Sequence, residues 1–179
     1  DAFKGNQEEI VQSILAKKDT FVIMPTGGGK SLCYQLPALM RDGYTLVVSP
    51  LISLMKDQVD GLRTNGYPAA ALHSGMTAEE RDDVRRAVRA GDVRLLFVSP
   101  ERLLAPGFDA WLGTVGVRAI AIDEAHCISQ WGHDFRPEYR QMARLRATFP
   151  QASLHACTAT ATPRVQQDIV DQLELRDPL

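Results

Sequence analysis

The chain has 179 residues, of which 45% are hydrophobic, and its 20 Lys and Arg against 22 Asp and Glu give a formal charge of −2. This composition indicates one globular domain with a sizeable core, and it excludes a protein that attracts nucleic acid through bulk positive charge. The three cysteines form no CxxC pair, so neither a zinc site nor a disulfide framework is expected. No segment approaches the roughly 20 apolar residues of a membrane-spanning helix.

The amino-terminal sequence Asp1-Ala2-Phe3-Lys4 has neither a charged leader nor an apolar run. We therefore expect a protein that is not secreted and that works in the cytoplasm, or in the nucleus of a eukaryote. Because there is no initiator Met, we also expect a piece of a longer polypeptide.

Six short apolar runs predict strands at Thr20–Met24, Thr45–Ser49, Ala69–Leu72, Arg94–Val98, Ala119–Ile122 and Leu154–Cys157. Most lack alternation, as expected of parallel strands covered on both faces. Helical periodicity lies at about residues 7–16, 30–41, 52–65, 78–90, 138–148 and 163–174. The pattern predicts an α/β fold, a three-layer sandwich with a mostly parallel sheet, in a single domain over residues 1–179.

Two of the predicted helices have informative ends or faces. Thr77 can cap the helix near residues 78–90 while Glu80 reaches back in a capping box. In the helix near residues 138–148, a spacing of four residues puts Arg136, Arg140 and Arg144 on one face. That face suits either a phosphate backbone or ordinary solvent.

A glycine loop, Pro25-Thr26-Gly27-Gly28-Gly29-Lys30-Ser31, follows the first predicted strand. Consecutive glycines allow backbone N–H groups to surround phosphate oxygens at the start of the next helix. Lys30 would reach the β- and γ-phosphates and Ser31 would ligate Mg²⁺. The alternative is a structural turn, since Met24 stands where the general GxxxxGK[ST] pattern has Gly. The strand-to-helix context favours nucleotide binding.

Two adjacent carboxylates, Asp123 and Glu124, end another predicted strand. Beside a phosphate loop, Asp123 is placed to ligate Mg²⁺, and Glu124 to position or deprotonate the attacking water. Taken alone, such a pair is more often a helix N-cap with a partner for the helix dipole. Together with Lys30, catalysis is the better interpretation.

Six blocks of sequence resemble, in order, the superfamily 2 helicases and among them the RecQ DNA helicases. They are FKGNQEEI at 3–10, MPTGGGKSLCYQLPAL at 24–39, SPLISLMKDQV at 49–59, SPERLL at 99–104, DEAHCISQWGHDFRPEYR at 123–140 and TATAT at 158–162. The resemblance implies a RecA-like P-loop NTPase domain of an ATP-dependent DNA helicase with 3′-to-5′ polarity, serving recombination and repair. Its cofactors would be ATP and Mg²⁺, with no zinc in this segment.

The resemblance also implies that this chain is the first of two RecA-like lobes. Its partners would be single-stranded and duplex DNA and the second lobe of the same polypeptide, with no membrane. Alone, the chain would hydrolyse ATP and unwind DNA very weakly or not at all, because the second lobe supplies an arginine finger and half of the DNA track.

Individual roles follow from the matching positions. Nucleotide binding would involve Lys4, Gln7, which would read adenine, Thr26, Gly27, Gly28, Gly29, Lys30 and Ser31. Contact with DNA, or coupling to it, would involve Ser49, Lys56, His126, Trp131, His133, Phe135, Arg136, Thr158 and Thr160. The aromatic side chains offer stacking surfaces that accept any base. Core packing is the alternative for Trp131 and Phe135, but the loop-forming residues around them favour exposure.

Two further functions stay open. An RNA helicase of the DEAD or DEAH groups would share the phosphate loop and the carboxylates, and the stretch QWGHDFRPEYR argues against it. A nucleotide-binding switch that does no work on nucleic acid would keep Lys30 and Asp123. Such a switch has no need of Glu124 or of an aromatic loop.

Overall fold

The computed structural model describes residues 8–9, 12, 18–23, 44–103, 105–132 and 134–175, without the side chains of residues 109 and 113. Of the helix predicted at 7–16, Glu8, Glu9 and Gln12 are described, and all three are helical. The helix predicted at 30–41 lies outside these ranges.

Six parallel strands form one sheet in the described part of the chain, in the order β1-β6-β5-β2-β4-β3. The strands are β1 (Thr20–Ile23), β2 (Tyr44–Val48), β3 (Ala69–Leu72), β4 (Leu95–Val98), β5 (Val117–Ile122) and β6 (Ser153–Thr158). All six predicted strands are present, and every pairing is parallel. The predicted α/β class is therefore confirmed.

Helices cover both faces of this sheet. They are α1 (Ile52–Thr64), α2 (Ala78–Arg89), α3 (Pro100–Leu103), α4 (Phe108–Val115), α5 (Leu145–Thr148), α6 (Pro163–Leu173) and two 3₁₀ helices, Ala125–Ile128 and Pro137–Arg144. No helix within the described ranges combines the length and the apolar character needed to cross a bilayer.

Alternate strand residues belong to two separate apolar cores. On one face, Val47 and Phe97 pack with Met55 and Val59 of α1. The opposite face, which includes Ile120, packs against the remaining helices. Burying each such side chain stabilises the fold by roughly 1.5–3 kcal/mol. Burial on both faces explains the continuous apolar runs in the sequence and gives the predicted three layers.

The capping box of α2 is present as predicted. Thr77 Oγ1 accepts the backbone N–H of Glu80 at 3.1 Å, and Glu80 Oε1 accepts that of Thr77 at 3.0 Å. Gly91, with φ +81°, follows the helix in the left-handed region that favours glycine. Local sequence therefore sets both ends of α2.

Besides the 3₁₀ helix Ala125–Ile128, two short α-helices of the described chain were not predicted, α3 and α4. The start of α3 carries a recognisable signal, because Ser99 Oγ accepts the Arg102 N–H at 3.2 Å and Pro100 takes the first helical position. By contrast, α4 contains Gly113, Thr114 and Val115, which are poor helix formers, and packing of Phe108 and Leu112 into the core supports it.

The single helix predicted at 138–148 is wrong. The chain forms the 3₁₀ helix Pro137–Arg144 and then α5. Because a 3₁₀ helix has about three residues per turn, residues four apart do not share a face. Arg136, Arg140 and Arg144 accordingly contact different partners, namely Asp134, Gln130 and Gln141.

A buried ion pair joins the start of β1 to α5. Arg146 contacts Asp19, and the two side chains are only 9% and 4% exposed. The other Asp19 oxygen, Oδ1, accepts the backbone N–H of Leu154 at 3.0 Å at the start of β6. Asp19 therefore holds together three segments that are far apart in sequence.

Replacing Asp19 with Ala is expected to destabilise the domain by about 3–5 kcal/mol, because Arg146 would remain buried without its carboxylate. Asp83→Ala is the matched control, since it removes the exposed ion pair between Asp83 and Arg86. Denaturant unfolding measures both changes. Similar small losses for the two variants would contradict the structural role given to Asp19.

Candidate functional site

The parallel arrangement brings the carboxyl ends of the strands to one edge of the sheet, the usual position of ligand sites in α/β folds. Backbone N–H groups just past three strands continue the ladder: Ser49 donates to Val98 O at 3.1 Å, Ser99 to Leu72 O at 3.4 Å and Asp123 to Val48 O at 2.9 Å. Residues from separate sequence blocks therefore align along this edge.

Strand order sets the relation between the glycine-loop region and the carboxylates. Ile23, the last residue of β1, is in register with Thr158 of β6, and β6 also pairs with β5. Since neighbouring strands lie about 4.8 Å apart, the ends of β1 and β5 are separated by roughly 10 Å. The chain thus leaves β1, just before the glycine loop, within a nucleotide's reach of Asp123.

Asp123 is held firmly at the end of β5. Asp123 is 3% exposed, and its Oδ1 accepts a hydrogen bond from the backbone N–H of Glu124 at 3.0 Å. The Tyr139 hydroxyl donates to the Asp123 carbonyl oxygen at 3.1 Å. Burial raises the pKa of Tyr139, so the phenol stays protonated and remains a donor. Asp123 therefore offers a fixed carboxylate, which suits a magnesium ligand.

Glu124 has an unusual backbone conformation, with φ 54° and ψ 43° in the left-handed region. A non-glycine residue pays a strain cost there, and such strain is typical of functional sites. The Glu124 side chain is 25% exposed, and its Oε2 lies 3.6 Å from His126 Nδ1. This carboxylate is therefore both accessible to water and directed by its neighbour.

His126 connects the carboxylate segment to β6. Its Nδ1 lies 2.7 Å from Thr158 Oγ1, and the Thr158 hydroxyl donates to Thr160 O at 3.2 Å. A hydroxyl has only one proton to donate, so Thr158 accepts from a proton on His126 Nδ1. His126, Thr158 and Thr160 thus form one hydrogen-bonded chain, with the Glu124 carboxylate beside the His126 ring.

The loop after Ile128 folds back onto the carboxylate segment. Trp131 N–H donates to Ser129 Oγ at 3.2 Å, and Gly132 N–H donates to Ser129 O at 3.1 Å. A Cβ at Gly132 would lie only 2.8 Å from His126 O, so glycine is required for this close approach. The position of Trp131 is therefore tied to that of His126.

The two loop aromatics differ in exposure. Trp131 is 53% exposed, in agreement with its predicted position. Phe135 is half-buried, with the Arg140 guanidinium 5.4 Å from its ring centroid. Arg136 lies 3.5 Å from Asp134. Trp131 is consequently the more available stacking surface of the two.

Ser49, at the end of β2, and Lys56, on α1, lie further along the same edge. Ser49 is 3% exposed, whereas Lys56 is exposed on α1. Lys56 lies on the β3 side of the sheet, where its charge lowers the pKa of His73, although burial has the larger effect on that group. Four strand spacings, on the order of 20 Å, separate β3 from β6. His133 and the predicted nucleotide residues Lys4, Gln7 and Thr26–Ser31 lie outside the described residues.

A second set of possible metal ligands lies beneath the loop. His126, Cys127 and Asp134 place one ligand atom each within 4.8 Å of one another. Cys127 Sγ lies 3.9 Å from Asp134 Oδ2, and burial, with Asp134 as a further cause, raises the thiol pKa to about 12. Within this cluster the Cys127 thiol donates to the Asp134 carboxylate, so the two side chains already form an internal hydrogen bond.

Two contacts to this site were missed from the sequence. The Tyr139 hydroxyl reaches Asp123 from the 3₁₀ helix, and the Arg164 guanidinium carbon lies 3.5 Å from the ring centroid of Trp131. No local motif marks either residue, because each contact joins segments that are distant in sequence. For Tyr139, the residue type gives one indication of such a contact, because the hydroxyl group of a buried tyrosine needs a hydrogen-bond partner.

Comparison with known proteins agrees with this geometry. The DEAD/DEAH box helicase family model matches residues 4–169, and the chain belongs to that family. Within it, the chain is similar to the ATP-dependent DNA helicase RecQ of Haemophilus influenzae, at 52% identity over 98% of this chain and 28% of that protein. RecQ of Bacillus subtilis is 47% identical over 98% of this chain and 30% of its own length. The chain thus spans less than a third of these relatives.

Solved structures show the same RecA-like fold at lower identity. A hypothetical ATP-dependent RNA helicase from Sulfolobus tokodaii superposes with a TM-score of 0.71 at 22% identity, covering 99% of this chain and 51% of that one. The Pyrococcus furiosus Hef helicase domain gives 0.66 at 22% identity, over 96% of this chain and 36% of that one.

Gly132→Ala is expected to destabilise the protein by about 1–3 kcal/mol, because the added methyl group meets a backbone oxygen that cannot move alone. Gly61→Ala is the matched control, since Gly61 lies in α1 with nothing within 4 Å of an added Cβ. That change should stabilise the helix by up to about 1 kcal/mol. Thermal unfolding distinguishes them, and equal effects would refute the packing argument.

Proposed function

We propose that this chain is the ATP-binding first lobe of an ATP-dependent DNA helicase that couples ATP hydrolysis to movement on single-stranded DNA and to unwinding of duplex DNA. One observation carries the proposal. The contacts from Glu124 through His126 to Thr158 begin at the carboxyl edge of the sheet, and the backbone of His126 packs against Gly132, next to the exposed Trp131.

The nucleotide half rests on Asp123, Glu124 and the position of β1. Lys30 and Ser31 would hold the phosphates and Mg²⁺, Asp123 would complete the metal site, and Glu124 would orient the attacking water and accept its proton. Thr26, Gly27, Gly28 and Gly29 would line the phosphates, with Lys4 and Gln7 at the adenine end. The fixed, buried Asp123 carboxylate and the strained Glu124 backbone support these roles.

The DNA half rests on Trp131 and its surroundings. The exposed indole would stack on a base, and Arg136 and Lys56 would contact phosphates, with His133 and Phe135 completing the loop surface. Ser49 would join this surface from the end of β2, where the residue is 3% exposed. His126, Thr158 and Thr160 would carry the change in nucleotide state to this surface.

The choice of DNA over RNA rests on the relatives. Proteins named as DNA helicases match nearly the whole chain at 47% and 52% identity, whereas the RNA helicase from Sulfolobus tokodaii shares only the fold. We extend the proposal to 3′-to-5′ polarity, to recombination and repair, and to the compartment that holds the chromosome. A second lobe of the same polypeptide would close the ATP site, consistent with the greater length of the relatives.

In the full-length protein, Lys30→Ala should abolish ATP turnover, whereas Glu124→Gln should retain ATP binding and lose about 10²-fold or more in kcat, since it removes the base. Lys18→Ala and Asp92→Asn are the controls, because both residues are exposed and lie just before the amino-terminal ends of β1 and β4, away from the carboxyl edge. Steady-state ATPase and nucleotide-binding assays measure these effects. Wild-type turnover in the Glu124 variant would show that another group activates the water.

Trp131→Ala should weaken stimulation of the ATPase by single-stranded DNA, raising the DNA concentration for half-maximal activity by roughly 10-fold, as loss of one stacked base predicts. Tyr67→Ala is the matched control, because Tyr67 is 46% exposed just before β3, at the opposite edge of the sheet. The assay is ATPase rate against DNA concentration. Unchanged stimulation in the Trp131 variant would remove the loop from the DNA site.

A further inference from the structure

Arg164 occupies an unfavourable position for a cation. Thr162 caps α6 and Pro163 takes its first position, so Arg164 lies in the first turn. The amino terminus of a helix carries partial positive charge and favours acidic side chains. Helix stability therefore does not explain an arginine at this position. The contacts of the Arg164 side chain outside the helix are the better indication of its role.

The contact of Arg164 is with Trp131. The guanidinium carbon lies 3.5 Å from the indole centroid, closer than the other described cation–ring contacts at 5.4 and 5.6 Å. This is van der Waals distance, at which attraction between a cation and a ring is strong. The indole nevertheless remains 53% exposed. Arg164 thus covers one face of Trp131 and leaves the rest of the ring accessible.

The contact is also a second connection between two segments of the chain. Residues 126–132 and 158–164 are joined at one end by the hydrogen bond from His126 to Thr158, and at the other by the stack of Arg164 on Trp131. Between the two joints lies a cavity of about 460 Å³, lined by His126, Trp131, Gly132, Thr160, Ala161, Thr162 and Val165. The two segments are therefore linked on both sides of this cavity.

We propose that Arg164 is a positioning residue that holds one face of Trp131 and presents the opposite face to a base of single-stranded DNA. The inference rests on the proposed function, in which Trp131 contacts DNA. It adds a second link between DNA and the Thr158–Thr160 segment. Arg164 itself does not need to touch the nucleic acid. Loss of a single exposed cation–ring contact changes an equilibrium by roughly 2- to 5-fold.

The test uses the full-length protein and an oligothymidine carrying one 2-aminopurine, a base analogue whose fluorescence reports stacking. Affinity and fluorescence are measured at several salt concentrations for Arg164→Ala, Arg164→Lys, Trp131→Ala and the Arg164→Ala, Trp131→Ala double variant. Arg118→Ala is the control, since Arg118 is exposed near the amino-terminal end of β5, away from the carboxyl edge. Thermal unfolding of each variant establishes that it is folded.

We expect Arg164→Ala and Arg164→Lys to weaken DNA binding to a similar extent, about 2- to 5-fold, because lysine keeps the charge but lacks the planar group. The salt dependence should match the wild type, and 2-aminopurine stacking should fall. The double variant should bind no more weakly than Trp131→Ala alone, since the two residues act through one contact.

Other outcomes would overturn the inference. If Arg164→Lys binds like the wild type while Arg164→Ala lowers the salt slope by about one, Arg164 contacts a phosphate directly. Additive losses in the double variant would show independent roles. If Trp131→Ala weakens binding and Arg164→Ala does not, the positioning role fails and the proposed function stands. If Trp131→Ala has no effect, the loop is not part of the DNA site and the inference about Arg164 fails, whereas the proposed ATPase roles of Lys30 and Glu124 are untouched.

Discussion

The hydrogen bond between His126 Nδ1 and Thr158 Oγ1 joins the segments that leave two neighbouring strands, β5 and β6. It is buried, so breaking it would leave two polar groups without water. Glu124 lies on one side of His126, and the backbone of the same histidine packs against Gly132 on the other. A conformational change at Glu124 or at Gly132 must therefore either preserve this hydrogen bond or displace the segments that follow β5 and β6 together.

Local constraint surrounds that bond. Glu124 adopts a left-handed conformation, Gly132 has no room for a methyl group, and the Tyr139 hydroxyl fixes the Asp123 carbonyl. Each feature restricts the backbone within a segment that also carries the chemistry. Packed segments of this kind move between discrete arrangements rather than deforming smoothly, which suits the response to nucleotide that we propose for this site.

The sequence predicted the parallel sheet and the edge that carries Asp123, because apolar runs buried on both faces leave a clear pattern. It also predicted the exposure of Trp131. The 3₁₀ helix at Pro137–Arg144 could not be predicted, because over eight residues its sequence periodicity resembles that of an α-helix. The contacts of Tyr139 and Arg164 depend on how distant segments pack, and no local preference specifies such a meeting.

Strand order also governs when the domain can form during synthesis. The partner of β1 in the described sheet is β6, and Asp19 meets Leu154 across 135 residues of sequence. Among the described strands, the first to be synthesised must therefore wait for the last before it pairs, and such distant pairings slow folding. The strand that precedes the glycine loop, β1, is thus the last of the described strands to join the sheet. In a ribosome-bound chain that ends before β6, the edge of β5 would be exposed and β1 would have no neighbouring strand to pair with.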